Sequence, residues 1–188
     1  MVASKTIYLK INNLTFMISI KNKSLISKTI QSKCKKIKLI LSDVDGVLTD
    51  GGMYYSDQGE IMKKFNTRDG MAILLLEKNI PTILISGENS KIVIARAKKI
   101  HAAEALIGIK NKEILLPKLC KKYNVKNSEI AYIGDDLNDF KIMEKVGFSV
   151  TPNDGIEKIK KIADYICKKN GGEGAFREMA DLILQYKM

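Results

Sequence analysis

The sequence predicts an α/β protein: a doubly wound, Rossmann-like parallel sheet with a β-hairpin after its first strand. Three observations point there. Short apolar runs recur along the chain, helical patterns of about ten residues separate them, and the first four runs end in polar or charged residues. Ser24–Lys36, with Leu25, Ile26, Ile30 and Cys34 among lysines, reads as an amphipathic helix leading in. Ile37–Leu41 is the first buried strand, followed by Thr82–Ser86, Ala105–Ile107 and Ile130–Gly134, with weaker runs at Phe148–Val150 and Tyr165–Cys167. Between and after them lie helical patterns at Gly70–Lys78, Ser90–Ile100, Lys112–Tyr123, Leu137–Val146, Ile156–Ile162 and Gly174–Gln185. Met53–Tyr55 and Ile61–Phe65 flank the turn-rich Ser56–Gly59 as the hairpin. No repeat, Pro-rich linker or low-complexity tract intervenes, so residues 24–188 read as one domain. Residues 1–23 read as a basic leader, disordered or mis-annotated, with Met17 an alternative start.

The chain has 188 residues, 32 basic and 21 acidic, for a formal charge of +11. That excess suggests a nucleic-acid partner only until it is mapped. Nine lysines and no acid precede residue 39, whereas the remainder carries 23 basic and 21 acidic residues, close to neutral. The leader offers little aromatic interleaving beyond Tyr8 and Phe16, so a nucleic-acid function is not expected. No stretch approaches the roughly 18 apolar residues of a membrane span. Cys34, Cys120 and Cys167 are scattered and the single histidine is His101, which leaves no zinc site or Cys–His pair. A cytoplasmic protein with reduced thiols is the expectation. His101 reads as a surface or packing residue.

Ligands of doubly wound sheets bind beyond the carboxyl ends of the strands. Strand one ends in Asp43-Val44-Asp45-Gly46-Val47-Leu48-Thr49-Asp50, and the second in Ser86-Gly87-Glu88. Lys112 opens the helix after the third, and the fourth ends in Gly134-Asp135-Asp136-Leu137-Asn138-Asp139. An isolated D-x-D-G is usually a turn or part of a calcium loop, but glycine here stands fourth rather than sixth, and Tyr54 occupies the twelfth position. No Walker A sequence occurs, and Gly172–Arg177 lacks the last glycine of a dinucleotide loop.

These four segments resemble the motifs of the haloacid-dehalogenase-like phosphohydrolases, from about Lys36 to Leu184. The resemblance implies that Asp43 is a nucleophile forming an aspartyl-phosphate, and that Asp45 is the acid for the leaving alcohol and then the base for water. It implies that Ser86 and Lys112 hold the phosphoryl oxygens, that Asp43, the Asp45 carbonyl and Asp135 bind magnesium (Mg2+), and that Asp136 and Asp139 support the metal or Lys112. Charge arithmetic asks for such a set. A carboxylate approaching a phosphate dianion meets about 4 kcal/mol of repulsion per charge pair at about 4 Å and an effective dielectric near 20, roughly 8 in all. A hard divalent cation and a lysine cancel it. Asp43 and Asp45 stand two positions apart, on one face of an ideal strand, and Gly46 lets the chain turn there.

About 25 residues separate Asp43 from Asp69 and about 22 separate Lys112 from Asp135, leaving no room for a cap domain. The narrower resemblance is to the capless 3-deoxy-octulosonate (KDO) 8-phosphate phosphatases and their relatives acting on nine-carbon KDN and N-acylneuraminate 9-phosphates. It rests on DVDGVLTDG, Phe65–Gly70, GDDLND and Gly171–Glu178. It implies a phosphorylated sugar acid as substrate, a role in surface polysaccharide sugar biosynthesis, and a homotetramer in which hairpin and C-terminal tail complete a neighbour's site. Thr49, Arg68, Gly87, Glu88, Arg96, Lys99 and Arg177 are then the expected substrate contacts. Glu88 stands where the eight-carbon enzymes typically carry arginine, and with Arg96 and Lys99 it resembles the nine-carbon branch, so the resemblance leans towards a nine-carbon 9-phosphate as substrate.

Two other readings remain. A response-regulator receiver would place an acidic pair after strand one and its phospho-acceptor after strand three, where this chain has no aspartate. A non-catalytic assembly domain, of the kind fused to sialic-acid cytidylyltransferases, would have lost motif residues that survive here.

Overall fold

The computed structural model describes residues 6–11, 14–19 and 26–187. Two antiparallel strands, β1 (Thr6–Ile11) and β2 (Leu14–Ser19), pair with each other in register from Thr6 opposite Ser19 to Ile11 opposite Leu14. The sequence reading assigned no element to this leader. Ser24 and Leu25, the expected start of the first helix, lie outside the described residues. That helix, α1 (Lys28–Lys36), begins where Ser27 Oγ accepts a hydrogen bond from the Ile30 amide at 3.3 Å.

Six parallel strands follow: β3 (Leu39–Ser42), β6 (Thr82–Ile85), β7 (Glu104–Leu106), β8 (Ile130–Ile133), β9 (Phe148–Thr151) and β10 (Tyr165–Ile166). They lie in the order β10-β9-β8-β3-β6-β7. The chain therefore builds outward from β3 to β7, then crosses back to β8 on the other side of β3. That reversal opens the crevice where ligands of such sheets bind. The antiparallel pair β4 (Tyr54–Ser56) and β5 (Gly59–Met62) is the expected hairpin, and only residues 63–66 separate it from α2 (Thr67–Leu76). No cap is inserted there.

Strand alternation distributes the core to both faces. Ile40, Leu84, Ala131 and Ile133 face one cluster with residues of α1, α2, α3 (Lys91–Lys99) and α7 (Ala175–Lys187). Leu39, Leu41, Ile83, Ile85 and Tyr132 face the other, with α4 (Leu116–Tyr123), α5 (Phe140–Met143) and α6 (Glu157–Lys160). Asn66 and Ser90 cap α2 and α3. Two expected helices open differently. Lys112–Leu115 and Leu137–Asp139 are 3₁₀ turns ahead of α4 and α5. In the second, the Asp136 side chain accepts from the Leu137 amide at 2.6 Å, while Asp139 reaches back to the amides of Asp135 and Asp136. Among the described residues no helix is long and apolar enough to cross a membrane.

Candidate active site

Asp43 follows β3 directly, its amide donating to the Ile133 carbonyl of β8 at 2.9 Å, so sheet hydrogen bonding fixes its backbone. Its carboxylate accepts from the Val44 amide at 2.7 Å and from Lys112 Nζ at 2.8 Å. Lys112 is fully buried and also donates to Asp139 Oδ1 at 2.6 Å. Burial works against the Lys112 charge, but the two carboxylates outweigh it and raise its pKa. Asp139 is oriented in turn by the Tyr132 hydroxyl at 2.5 Å and by the Asp135 amide at 2.9 Å. Gly134 permits this approach, since a Cβ there would lie 2.4 Å from Asp139.

Asp135 packs directly against Gly46, whose φ of +85° and missing Cβ are both needed: a Cβ would sit 2.0 Å from Asp135 Oδ2. Asp135 Oδ1 is buried with no hydrogen-bond partner. Burial, and then the Asp139 charge, push the Asp135 carboxyl up to about 7. Burial and Asp139 likewise raise Asp43, against the pull of Lys112. Oxygens of Asp43, Asp135 and Asp139 come within 4.8 Å of one another, yet Lys112 is the ammonium that answers them. A divalent cation would match the two charges left over and the orphaned oxygen. Asp139 already spends its oxygens on Lys112, Tyr132 and the Asp135 amide, so Asp43 and Asp135 are the carboxylates free to hold a cation. This fits the expected metal pair and makes Asp139 the support of Lys112.

Asp45 lies at the cleft's edge. Its Oδ1 accepts from Lys63 Nζ at 2.6 Å and its Oδ2 from Ser86 Oγ at 3.3 Å. Ser86 Oγ also accepts from the Glu88 amide at 3.1 Å. Lys63 has no side-chain exposure and pairs with Glu60 at 2.6 Å as well; burial opposes its charge, but the two carboxylates raise its pKa overall. The cleft is about 460 Å³, and Asp43, Asp45, Gly87, Glu88, Asp135 and Asp136 are among its lining residues.

The structure thus brings together Asp43, Asp45, Ser86, Lys112, Asp135, Asp136 and Asp139. Of the expected sugar contacts it brings Gly87 and Glu88. The others stand elsewhere within this chain. Thr49 is fully buried, its hydroxyl accepting from the amides of Gly46 and Gly51 and bracing the loop. Arg96 turns inward, donating to the Asn66 carbonyl at 3.1 Å and lying 5.1 Å from the Phe65 ring centroid. Gly70 makes room for it, because a Cβ there would meet the guanidinium at 2.6 Å. Lys99 is exposed on α3, and Arg68 and Arg177 border a separate cleft of about 270 Å³ with Glu173 and Asp181. Sequence reasoning missed Lys63 and Tyr132. The first is one lysine in a Lys-rich chain, and the second reads as one more apolar strand residue. His101 is exposed, beside Glu77 at 3.2 Å, as expected of a surface residue.

Comparison with known proteins gives concordant matches. A family model described as haloacid dehalogenase-like hydrolase matches residues 6–179. The 3-deoxy-D-manno-octulosonate 8-phosphate phosphatase of Salmonella typhi is 39% identical over 160 residues, covering 85% of each chain. The structure of the Moraxella catarrhalis enzyme of that name, in complex with magnesium, phosphate and KDO, superposes with a TM-score of 0.81 at 38% identity, covering 84% of this chain and 91% of that one. The cobalt-bound enzyme from Haemophilus influenzae gives 0.80 at 37% identity, covering 82% and 91%.

Proposed function

Because this chain belongs to the haloacid dehalogenase-like hydrolase family, we propose that it is a magnesium-dependent phosphomonoesterase releasing the terminal phosphate of a 3-deoxy-ulosonic acid. The observation that carries the reading is the buried Asp43 carboxylate, held by Lys112 at 2.8 Å and facing Asp135 and Asp45 across the cleft. Asp43 attacks phosphorus; the phosphorus–alkoxide bond breaks, and the leaving oxygen takes a proton from Asp45. The aspartyl-phosphate on Asp43 is then attacked by water, which gives its proton to Asp45, and inorganic phosphate leaves as the Asp43 carboxylate is restored. Lys112 and Ser86 hold the phosphoryl oxygens, and Asp139 and Tyr132 hold Lys112. Asp43, Asp135 and the Asp45 carbonyl are the groups that would hold magnesium, which supplies charge neutralisation for the transferring phosphoryl group.

The eight-carbon KDO 8-phosphate is supported by the names of the relatives. A nine-carbon 9-phosphate is the second reading, favoured by Glu88 in the cleft wall. We place the reaction in the cytoplasm, in keeping with the free thiols. We also propose a homotetramer, supported by the apolar hairpin residues left exposed: Met53, Tyr54, Tyr55, Ile61 and Met62. A phosphate-release panel tests the substrate: KDO 8-phosphate, KDN and N-acetylneuraminate 9-phosphates, and simple hexose phosphates. One ulosonate phosphate is expected to exceed the hexose phosphates clearly in kcat/KM. Comparable slow turnover of every ester would remove the sugar-acid assignment.

A further inference from the structure

We propose that Lys63 is a positioning residue for the general acid, fixing Asp45 so that Oδ2 is the oxygen that carries the proton to the leaving group. The inference rests on the phosphatase reading above and adds a residue and an atom to it.

Lys63 follows β5 at the exit of the hairpin, far in sequence from the strand-end motifs. Its ammonium has no side-chain exposure and lies 2.6 Å from Asp45 Oδ1 and 2.6 Å from Glu60 Oε1. Glu60 Oε2 accepts in turn from the hydroxyl of Ser90, the residue that caps α3. The ammonium is therefore tied to a strand and, through Ser90, to a helix, and it has little freedom to follow a moving partner. Among the described residues it is the one cation within ion-pair distance of Asp45.

The geometry divides the two oxygens of Asp45. The ammonium 2.6 Å from Oδ1 holds negative charge on that oxygen, while Oδ2 meets only the neutral Ser86 hydroxyl at 3.3 Å, so a proton on Asp45 resides on Oδ2. Oδ2 is the oxygen 3.3 Å from Ser86 Oγ, on the side of the cleft where the phosphoryl group is to be held. When the ester bond breaks, its electron pair goes to the alcohol oxygen and the Oδ2 proton follows it. Without Lys63 only the 3.3 Å contact with Ser86 holds the Asp45 side chain, and either oxygen can turn to the cleft.

A general acid matters for a poor leaving group and little for a good one. The readout is therefore the ratio of kcat/KM for KDO 8-phosphate, whose leaving group is an alkoxide, to that for p-nitrophenyl phosphate, whose nitrophenolate needs no proton. Both values report the steps up to release of the alcohol. In Lys63→Met the ratio is expected to fall about tenfold or more, and in Lys63→Arg to recover part of that loss. An equal loss on both esters, up to inactivity toward both, overturns the proposal and makes Lys63 a structural residue only. The two readings fail separately. A wild-type protein that hydrolyses neither these esters nor the nine-carbon 9-phosphates with magnesium counts against the phosphatase, whereas an active wild type with an unchanged ratio in Lys63→Met counts against Lys63.

Discussion

A carboxyl group buried with too few donors holds its proton to a higher pH, and Asp69 on α2 is a case that can be titrated apart from the catalytic cluster. Its Oδ1 accepts from the Arg177 amide at 2.8 Å, while its Oδ2 is buried without a partner. Burial pushes it from the ordinary 3.8 up to about 6, against the pull of backbone donors and of Arg96 and Arg177. Between those values the folded chain holds a proton that the unfolded chain releases, so stability falls as pH rises through the window and levels off above it. The span corresponds to about 3 kcal/mol. Asp69→Asn keeps an acceptor for the amide and has no charge to bury. Denaturant unfolding at pH 4, 5, 6 and 7 is expected to show the variant gaining on the wild type up to pH 6, and parallel curves would remove the assignment. Tyr132→Phe tests a neighbour. Removing a donor from buried Asp139 is expected to cost about 1–3 kcal/mol by the same measurement. At this scale Asp43, Asp45, Ser86, Lys112 and Asp135 were legible because several strands deliver chemistry to one edge. Arg96 and Thr49 were not, because which way a side chain turns depends on neighbours such as Gly70 that no local pattern encodes.

Elements hold the catalytic loop from outside as well as from its own strand. The segment before α7 lies backbone to backbone on it: the Gly172 amide donates to the Val47 carbonyl at 2.9 Å, and a Cβ on Gly171 would lie 1.9 Å from the Gly46 carbonyl oxygen. Asn66, the cap of α2, donates to the Gly172 carbonyl at 3.0 Å and ties in a third element. Neither chain can yield without moving Gly46, and Gly46 borders Asp135. Gly171→Ala is therefore expected to lower stability by about 1–3 kcal/mol and phosphatase activity with it, measured by denaturation and phosphate release. Full activity with the stability loss would show that the catalytic loop does not lean on this segment. The strands, the hairpin and most helices were legible from apolar runs and their period. The 3₁₀ openings at Lys112 and Leu137 were not; at Leu137 the Asp136 and Asp139 side chains take the opening amides from the helix. The β1–β2 pair was missed as well, a short ribbon in a segment whose lysines dominated its reading.

On the scale of the whole molecule, charge and apolar surface are unevenly placed. Nine of the eleven net positive charges belong to the first 38 residues, and the rest is nearly neutral around an acidic cleft. The exposed apolar residues concentrate on the hairpin at the mouth of that cleft, where Met53 lines it and Tyr55 is 54% exposed. The proposed tetramer, built on the hairpin, would cover these apolar residues, and light scattering is expected to give a mass near four chains that falls toward one in Tyr55→Lys with Ile61→Lys. A monomeric wild type would contradict that assembly. The doubly wound order follows from alternating strands and helices, whereas contacts between copies leave no period in a sequence. The account as a whole rests on Asp43 and a divalent cation. Its most direct test is phosphate release from KDO 8-phosphate by the wild type and by Asp43→Asn, each with magnesium and with the metal chelated. Turnover is expected only in the wild type with magnesium, with Asp43→Asn lower by on the order of 10³-fold or more. Comparable release by Asp43→Asn, or by the wild type without a divalent metal, would contradict the account.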